Sequence, residues 1–145
     1  MRLLGVDLGK RRVGLAISDP SGTIARPLVT IQVTSVADAV NRVLAEVVRL
    51  SAEEDGLDAI VVGVPVHLDG TPSSETTYAR TFIDSLGART AVPIVGENER
   101  LTSREAESRL AAHERDWRKR KERLDAAAAA IILQDYLDGD RRGPA

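Results

Sequence analysis

The run Ala59-Ile60-Val61-Val62-Gly63-Val64 restricts the fold of this sequence more than any other stretch. A strand that is apolar at consecutive positions offers apolar side chains to both faces of its sheet, so both faces must be covered. Covering both faces calls for helices in the connections and parallel neighbours. The segments before the run have a different rhythm. Leu3 to Leu8 is a short apolar stretch, and Val13 to Ser18 alternates with period two. Only Gly9-Lys10-Arg11-Arg12 separates them, which predicts a tight β-hairpin. Thr23 to Ile31 supplies a third strand, with Pro27 placing it at an edge or an irregularity.

From residue 35 the period becomes helical. Val36, Val40, Val43, Leu44, Val47 and Val48 follow the capping pattern Ser35-x-x-Asp38, and Gly56 is the expected stop. After the apolar run come a turn-rich loop from Pro65 to Ser74, a helix through Tyr78, Phe82, Ile83 and Leu86 ending at Gly87, and a strand from Val92 to Gly96. Thr102-Ser103-Arg104-Glu105 caps a further helix, and Leu124 to Leu137 forms a last, alanine-rich one closed by Gly139. Three antiparallel strands followed by αβ units predict an α/β fold. It is one five-stranded mixed sheet with helices on both faces, a single domain over residues 1–138 and a frayed tail over 139–145.

The chain has 145 residues and no cysteine, which excludes disulfide scaffolds, thiolate zinc sites, cysteine nucleophiles and redox motifs. Chemistry is left to carboxylates, hydroxyls and basic groups. No apolar run approaches the roughly 20 residues of a membrane span, and Asp7 arrives too early for a signal peptide, so a cytoplasmic location is expected. The net charge of −2 gives no hint of a polyanionic partner until it is resolved by position. Residues 33–58 hold six acids against Arg42 and Arg49, whereas Lys10-Arg11-Arg12 and the stretch from Trp117 to Arg123 are strongly basic. An acidic helical side balances a basic one.

Three carboxylates stand at ends of predicted elements. Asp7, in Gly5-Val6-Asp7-Leu8-Gly9, closes the first strand; there it serves either as a turn-capping residue or as a functional carboxylate. Glu99 follows the last strand and has Arg100 and Arg104 as potential partners. Asp125 opens the last helix, where the macrodipole favours an acid. Taken singly, Glu99 and Asp125 have adequate structural explanations. Parallel central strands would nevertheless bring Asp7 and Glu99 to one sheet edge, and a helix packed back across the sheet would add Asp125. Converging carboxylates without cysteine suit a hard cation, Mg²⁺ or Mn²⁺, and two such ions about 4 Å apart can activate water against a phosphodiester. Lys10, Arg11 and Arg12 in their glycine-flanked turn, with Arg118, Lys119, Arg120 and Lys121 before Asp125, are candidate phosphate contacts. His67, in the loop after the apolar run, is a substrate contact or a structural hydrogen-bonding residue, not a metal ligand.

Four ordered blocks resemble the YqgF/RuvX family of bacterial nucleases, which have a ribonuclease H-like fold. They are Gly5 to Asp19, Ile60 to Pro65 with Asp69-Gly70-Thr71, Asn98-Glu99-Arg100-Leu101-Thr102-Ser103, and Leu124 to Ala129 with Ile132 to Leu137. The resemblance implies a hydrolase of structured nucleic acid, either maturing the 5′ end of pre-16S rRNA or resolving Holliday junctions. It implies that Asp7, Glu99 and Asp125 are its catalytic and metal-binding triad, and Arg100 joins the phosphate contacts. A junction resolvase needs two active sites, which a homodimer would supply. Asn98 stands where the family block has Asp, and His67 where many members have Asn. Asn98 motivates a rival reading, a non-catalytic nucleic-acid-binding assembly factor, with Glu97 as a substitute carboxylate. A third reading, nucleotide binding of the actin and sugar-kinase type, rests on Asp7-x-Gly9 but needs two lobes.

Overall fold

The computed structural model describes residues 1–99 and 117–141, with the side chains of 117–125 and 140–141 excepted. Strands β1 (Leu3–Leu8), β2 (Arg12–Ser18), β3 (Ala25–Gln32), β4 (Ala59–Pro65) and β5 (Ile94–Glu99) form one sheet in the order β3-β2-β1-β4-β5. The β1–β2 and β2–β3 pairs are antiparallel, and β1–β4 and β4–β5 are parallel, as the change of rhythm predicts. Pro27 lies on the edge strand. The β2–β3 register slips between Leu15 and Ala16, accommodating the missing donor. The predicted helix capped by Thr102 to Glu105 lies outside the described residues.

Side-chain alternation sorts the sheet into two faces. Leu4, Val6, Val13, Leu15, Ile17, Ile60 and Val62 are buried with helices α1 (Val36–Ser51) and α2 (Ser74–Gly87). The other face carries Leu3, Ala16 and Val61, packed against Ala129, Ile132, Leu133 and Leu137 of helix α3 (Trp117–Arg141). The apolar run is thus covered on both sides. Ser35 caps α1 by accepting from the Asp38 amide, and Ser73 caps α2 in a reciprocal box with Thr76.

Three boundaries differ from the sequence expectation. Helix α1 ends at Ser51, and Gly56 turns the chain beyond it with φ of 63°. Arg2 donates from Nη2 to the Leu50 oxygen (2.8 Å) in the last turn and from Nε to the Gly56 oxygen (2.7 Å) in the segment beyond. Strand β5 continues through Glu97, Asn98 and Glu99 because β4 offers Gly63, Val64 and Pro65 as partners; pairing outweighs the low strand preference of acids. Helix α3 starts at Trp117 and runs through Gly139 to Arg141. The basic run before Asp125 lacks an apolar period, yet Arg, Lys and Glu are good helix formers and extend the helix backward. Asp125 is therefore inside a helix, not at its start. Among the described residues, no helix is long and apolar enough to cross a membrane.

Helix α3 lies against β1 and β4 at two glycines. A Cβ on Gly5 would come within 2.8 Å of the Leu133 Cβ and 2.9 Å of the Ala129 carbonyl oxygen, whereas one on Gly63 would meet only the Ile132 side chain, at 2.5 Å from Cδ1. Gln134 ties the same helix to β3, accepting from the Ala25 amide (2.9 Å) and donating to the Thr23 carbonyl (3.1 Å). Gly5→Ala has no flexible atom to displace and is expected to cost about 1–3 kcal/mol by forcing the helix away. Gly63→Ala, which needs only an Ile132 rotamer change, should cost less; urea unfolding of the two variants checks the order.

Candidate nuclease site

Asp7 closes β1 on the face covered by α3, since it alternates with Leu3 and Gly5 there. On β5 the alternation is marked at both positions of the pleat. A Cβ on Gly96 would meet Val64 and Ile83 of the α2 side, so Asn98 belongs to that face, while Glu97 is influenced by Asp135 of α3. Glu99, two residues beyond Glu97, therefore shares the α3 face with Asp7. Both half-buried carboxylates stand toward the carboxyl ends of parallel strands with β4 between them, and Glu99 lies two residues beyond the level of Asp7, roughly 12 Å away.

Position 125 belongs to the stripe 125, 129, 133 and 137 on α3. Leu137 packs with Leu3 near the start of β1, and Leu133 and the Ala129 carbonyl lie over Gly5. The stripe thus runs from the amino toward the carboxyl end of β1, and position 125 lies one turn, about 6 Å, farther in that direction. Ala126 independently marks the level, because it lines a groove with Arg12, which begins the strand paired to the end of β1. The backbone places Asp125 at the edge where Asp7 and Glu99 end. Its side chain lies outside the described residues, as do those of Arg118, Lys119, Arg120 and Lys121; Arg100 is outside them altogether. Among the described residues no group of three acids or histidines is assembled to hold a metal. Asp7 and Glu99 are the two described members of the predicted triad.

The basic turn sits at the same edge. The Gly9 amide donates to the Arg12 carbonyl (2.9 Å), and a Cβ on Gly9 would stand 2.6 Å from that oxygen, so the turn needs glycine. Lys10 and Arg11 are exposed at its tip and Arg12 is half-buried. Lys10 helps keep Glu75, in the first turn of α2, below the usual carboxylate range, although bonds to its own backbone and to Ser74 and Ser73 contribute more.

The loop after β4 folds into its own turn. Val66 bridges Pro72, the His67 amide donates to the Thr71 carbonyl (2.9 Å), and the Gly70 amide donates to the His67 carbonyl (2.8 Å) with φ of 87° at Gly70. Asp69 accepts from the Thr71 hydroxyl (2.7 Å) and amide (2.9 Å), which hold its carboxyl below the usual range. The Val66 amide also donates to the Glu99 carbonyl (3.3 Å), fastening the loop to the end of β5. His67 is exposed on this preformed turn, in a position to meet a ligand.

Burial, followed by repulsion from Asp135, pushes the Glu97 carboxyl up. Its charged form is thus disfavoured in the fold, so stability is lost as pH rises from the ordinary Glu range through the raised value. In chelator, Glu97→Gln should melt above the parent at pH 7, with the gap closing below about pH 4; thermal scans across pH read this. Asn98, on the opposite face from Asp7, should not limit catalysis. Asn98→Asp is expected to leave the cleavage rate unchanged, and a large gain would place that residue in the site.

A family model described as "RuvX: Holliday junction resolvase" matches residues 1–139. A relative from Chloroflexus aggregans, named as a pre-16S rRNA nuclease, is 42% identical over 142 residues, covering 98% of this chain and 96% of its own. One of the same name from Anaeromyxobacter sp. strain Fw109-5 is 40% identical over 140 residues, covering 96% and 98%. The structure of Thermus thermophilus RuvC in complex with a Holliday junction superposes with a TM-score of 0.55 at 18% identity, covering 99% of this chain and 96% of that one. At that identity the likeness establishes the shared ribonuclease H-like fold.

Proposed function

The chain belongs to the RuvX family of phosphodiester-cleaving nucleases, and on that premise we propose that it matures the 5′ end of pre-16S rRNA, with Asp7, Glu99 and Asp125 as its divalent-metal ligands. The observation that carries the site assignment is the convergence of two carboxylates from different strands on one face of one sheet edge, beneath the helical stripe that contains position 125. Carboxylates gathered at a sheet edge repel one another, and a cation offsets that repulsion.

The donor set fits a hard cation, Mg²⁺ or Mn²⁺: it is all oxygen, and the chain contains no cysteine. When bound there, such a cation supplies Lewis acidity toward a phosphate oxygen and lowers the pKa of water. The protein's own residues do the rest. Lys10, Arg11, Arg12 and Arg100 draw the scissile phosphate to the edge and balance its charge. His67 on its rigid turn contacts the substrate beside it, and Arg118, Lys119, Arg120 and Lys121 hold the flanking helix. Few aromatics serve this protein, so recognition runs through backbone charge and shape.

A second reading, resolution of branched DNA by a homodimer, is favoured by the description of the family model. Side-by-side cleavage of a 5′-extended 16S precursor and a four-way DNA junction separates the two. Asp7→Asn and Glu99→Gln should each lower cleavage at least about 100-fold while leaving nucleic-acid affinity in place. Chelation should abolish turnover and Mg²⁺ restore it. Metal-independent cleavage, or full activity in Asp7→Asn, overturns the site assignment.

A further inference from the structure

Two grooves meet at the start of β2. One, of about 310 Å³, is lined by Arg12, Gln32 and Ala126 together with the β3 stretch from Pro27 to Thr30. The other, of about 680 Å³, is lined by Arg11, Arg12, Gln32, Val33, Thr34 and Arg42. Arg12 and Gln32 belong to both, so the surface is continuous from α3, past the basic turn, to the first turns of α1. Its floor is built by pairing: Arg12 is in register with Gln32, and the Val33 amide donates to the Arg11 carbonyl (2.8 Å).

Arg42 is the arginine here that the nuclease site does not use. Its contact with Asp38 runs through Nε (3.1 Å), and Nη1 and Nη2 make no bond among the described residues. Asp38 is largely satisfied otherwise, accepting from the Thr34 amide (2.9 Å) and hydroxyl (3.3 Å). Other arginines differ. Arg2 spans Leu50, Gly56 and Glu53, and Arg49 spends both terminal nitrogens on Glu46 and Glu53. Arg11 and Arg42 against Asp38 leave the larger groove with an excess of positive charge and a planar donor pair, which suits phosphate oxygens.

We propose that this groove, from Ala126 past Arg12 to Arg42, binds the phosphate backbone of a substrate segment that leaves the cleavage site toward α1. The proposal rests on the nuclease reading and deepens it. The substrate is gripped beyond the carboxylate edge as well as at it, so a branched or duplex-flanked nucleic acid is held better than a short strand. An acidic protein would find the charge, but only a nucleic acid crossing the carboxylate edge uses the groove's continuity with Arg12.

Binding to a duplex-flanked RNA and to a four-way DNA junction, titrated with salt in the Asp7→Asn background, tests this. Arg42→Gln should weaken binding roughly two- to fivefold and reduce the slope of log K against log salt by about one. Arg42→Lys should keep the slope. Arg80→Gln, an exposed arginine of α2 that lines neither groove, should match the parent. Circular dichroism should show the parent fold for each, since the Arg42 side chain is exposed. If the parent chain cleaves nucleic acid but Arg42→Gln keeps its slope, the groove assignment fails alone. If the unsubstituted chain neither binds nor cleaves any of these substrates, the nuclease reading fails and takes the groove with it.

Discussion

The contact on which the rest depends is the one between α3 and the glycine at position 5 of β1. Close approach there is possible because no Cβ separates the strand from Leu133 and the Ala129 carbonyl. With Gln134 bonded to the β3 end of the sheet, the helix has one depth and one axial position. Those two constraints carry the site, because they determine where the stripe 125, 129, 133 and 137 meets the carboxyl edge. The helix is therefore both half of the core and the carrier of a candidate ligand, and packing and chemistry cannot vary independently.

The edge itself collects parts that are distant in sequence. The β1–β2 turn brings cations, β5 brings Glu99, and the loop after β4 is fastened to β5 through Val66 and the Glu99 carbonyl. Backbone hydrogen bonds hold each of them to the sheet. The pleat also sets Asn98 apart from the carboxylates, because it turns Glu99 toward α3 and its neighbour toward α2.

Much of the architecture could be read from periodicity. The hairpin, the edge placement of Pro27, the doubly covered strand β4, the cap at Ser35 and the end of α2 at Gly87 follow from local rules of alternation, turns and capping. Two of the three boundary differences have a common cause. Glu97-Asn98-Glu99 and the basic run from Arg118 to Arg123 have no apolar period of their own. A paired neighbour extended the first into β5, and helix propagation carried the second into α3.

The sequence by itself determined the order of elements, the oxygen-only chemistry and the residues worth considering, because these depend on residue type and short-range spacing. Only the tertiary structure decided which of them meet. It put Asp7 with Glu99 and apart from Asn98, set Glu97 against Asp135, moved Asp125 from a helix start to a helix interior, and joined Arg42 to the basic turn. These are relations between segments up to about a hundred residues apart, set by strand register and by the depth at which a helix can lie on glycine.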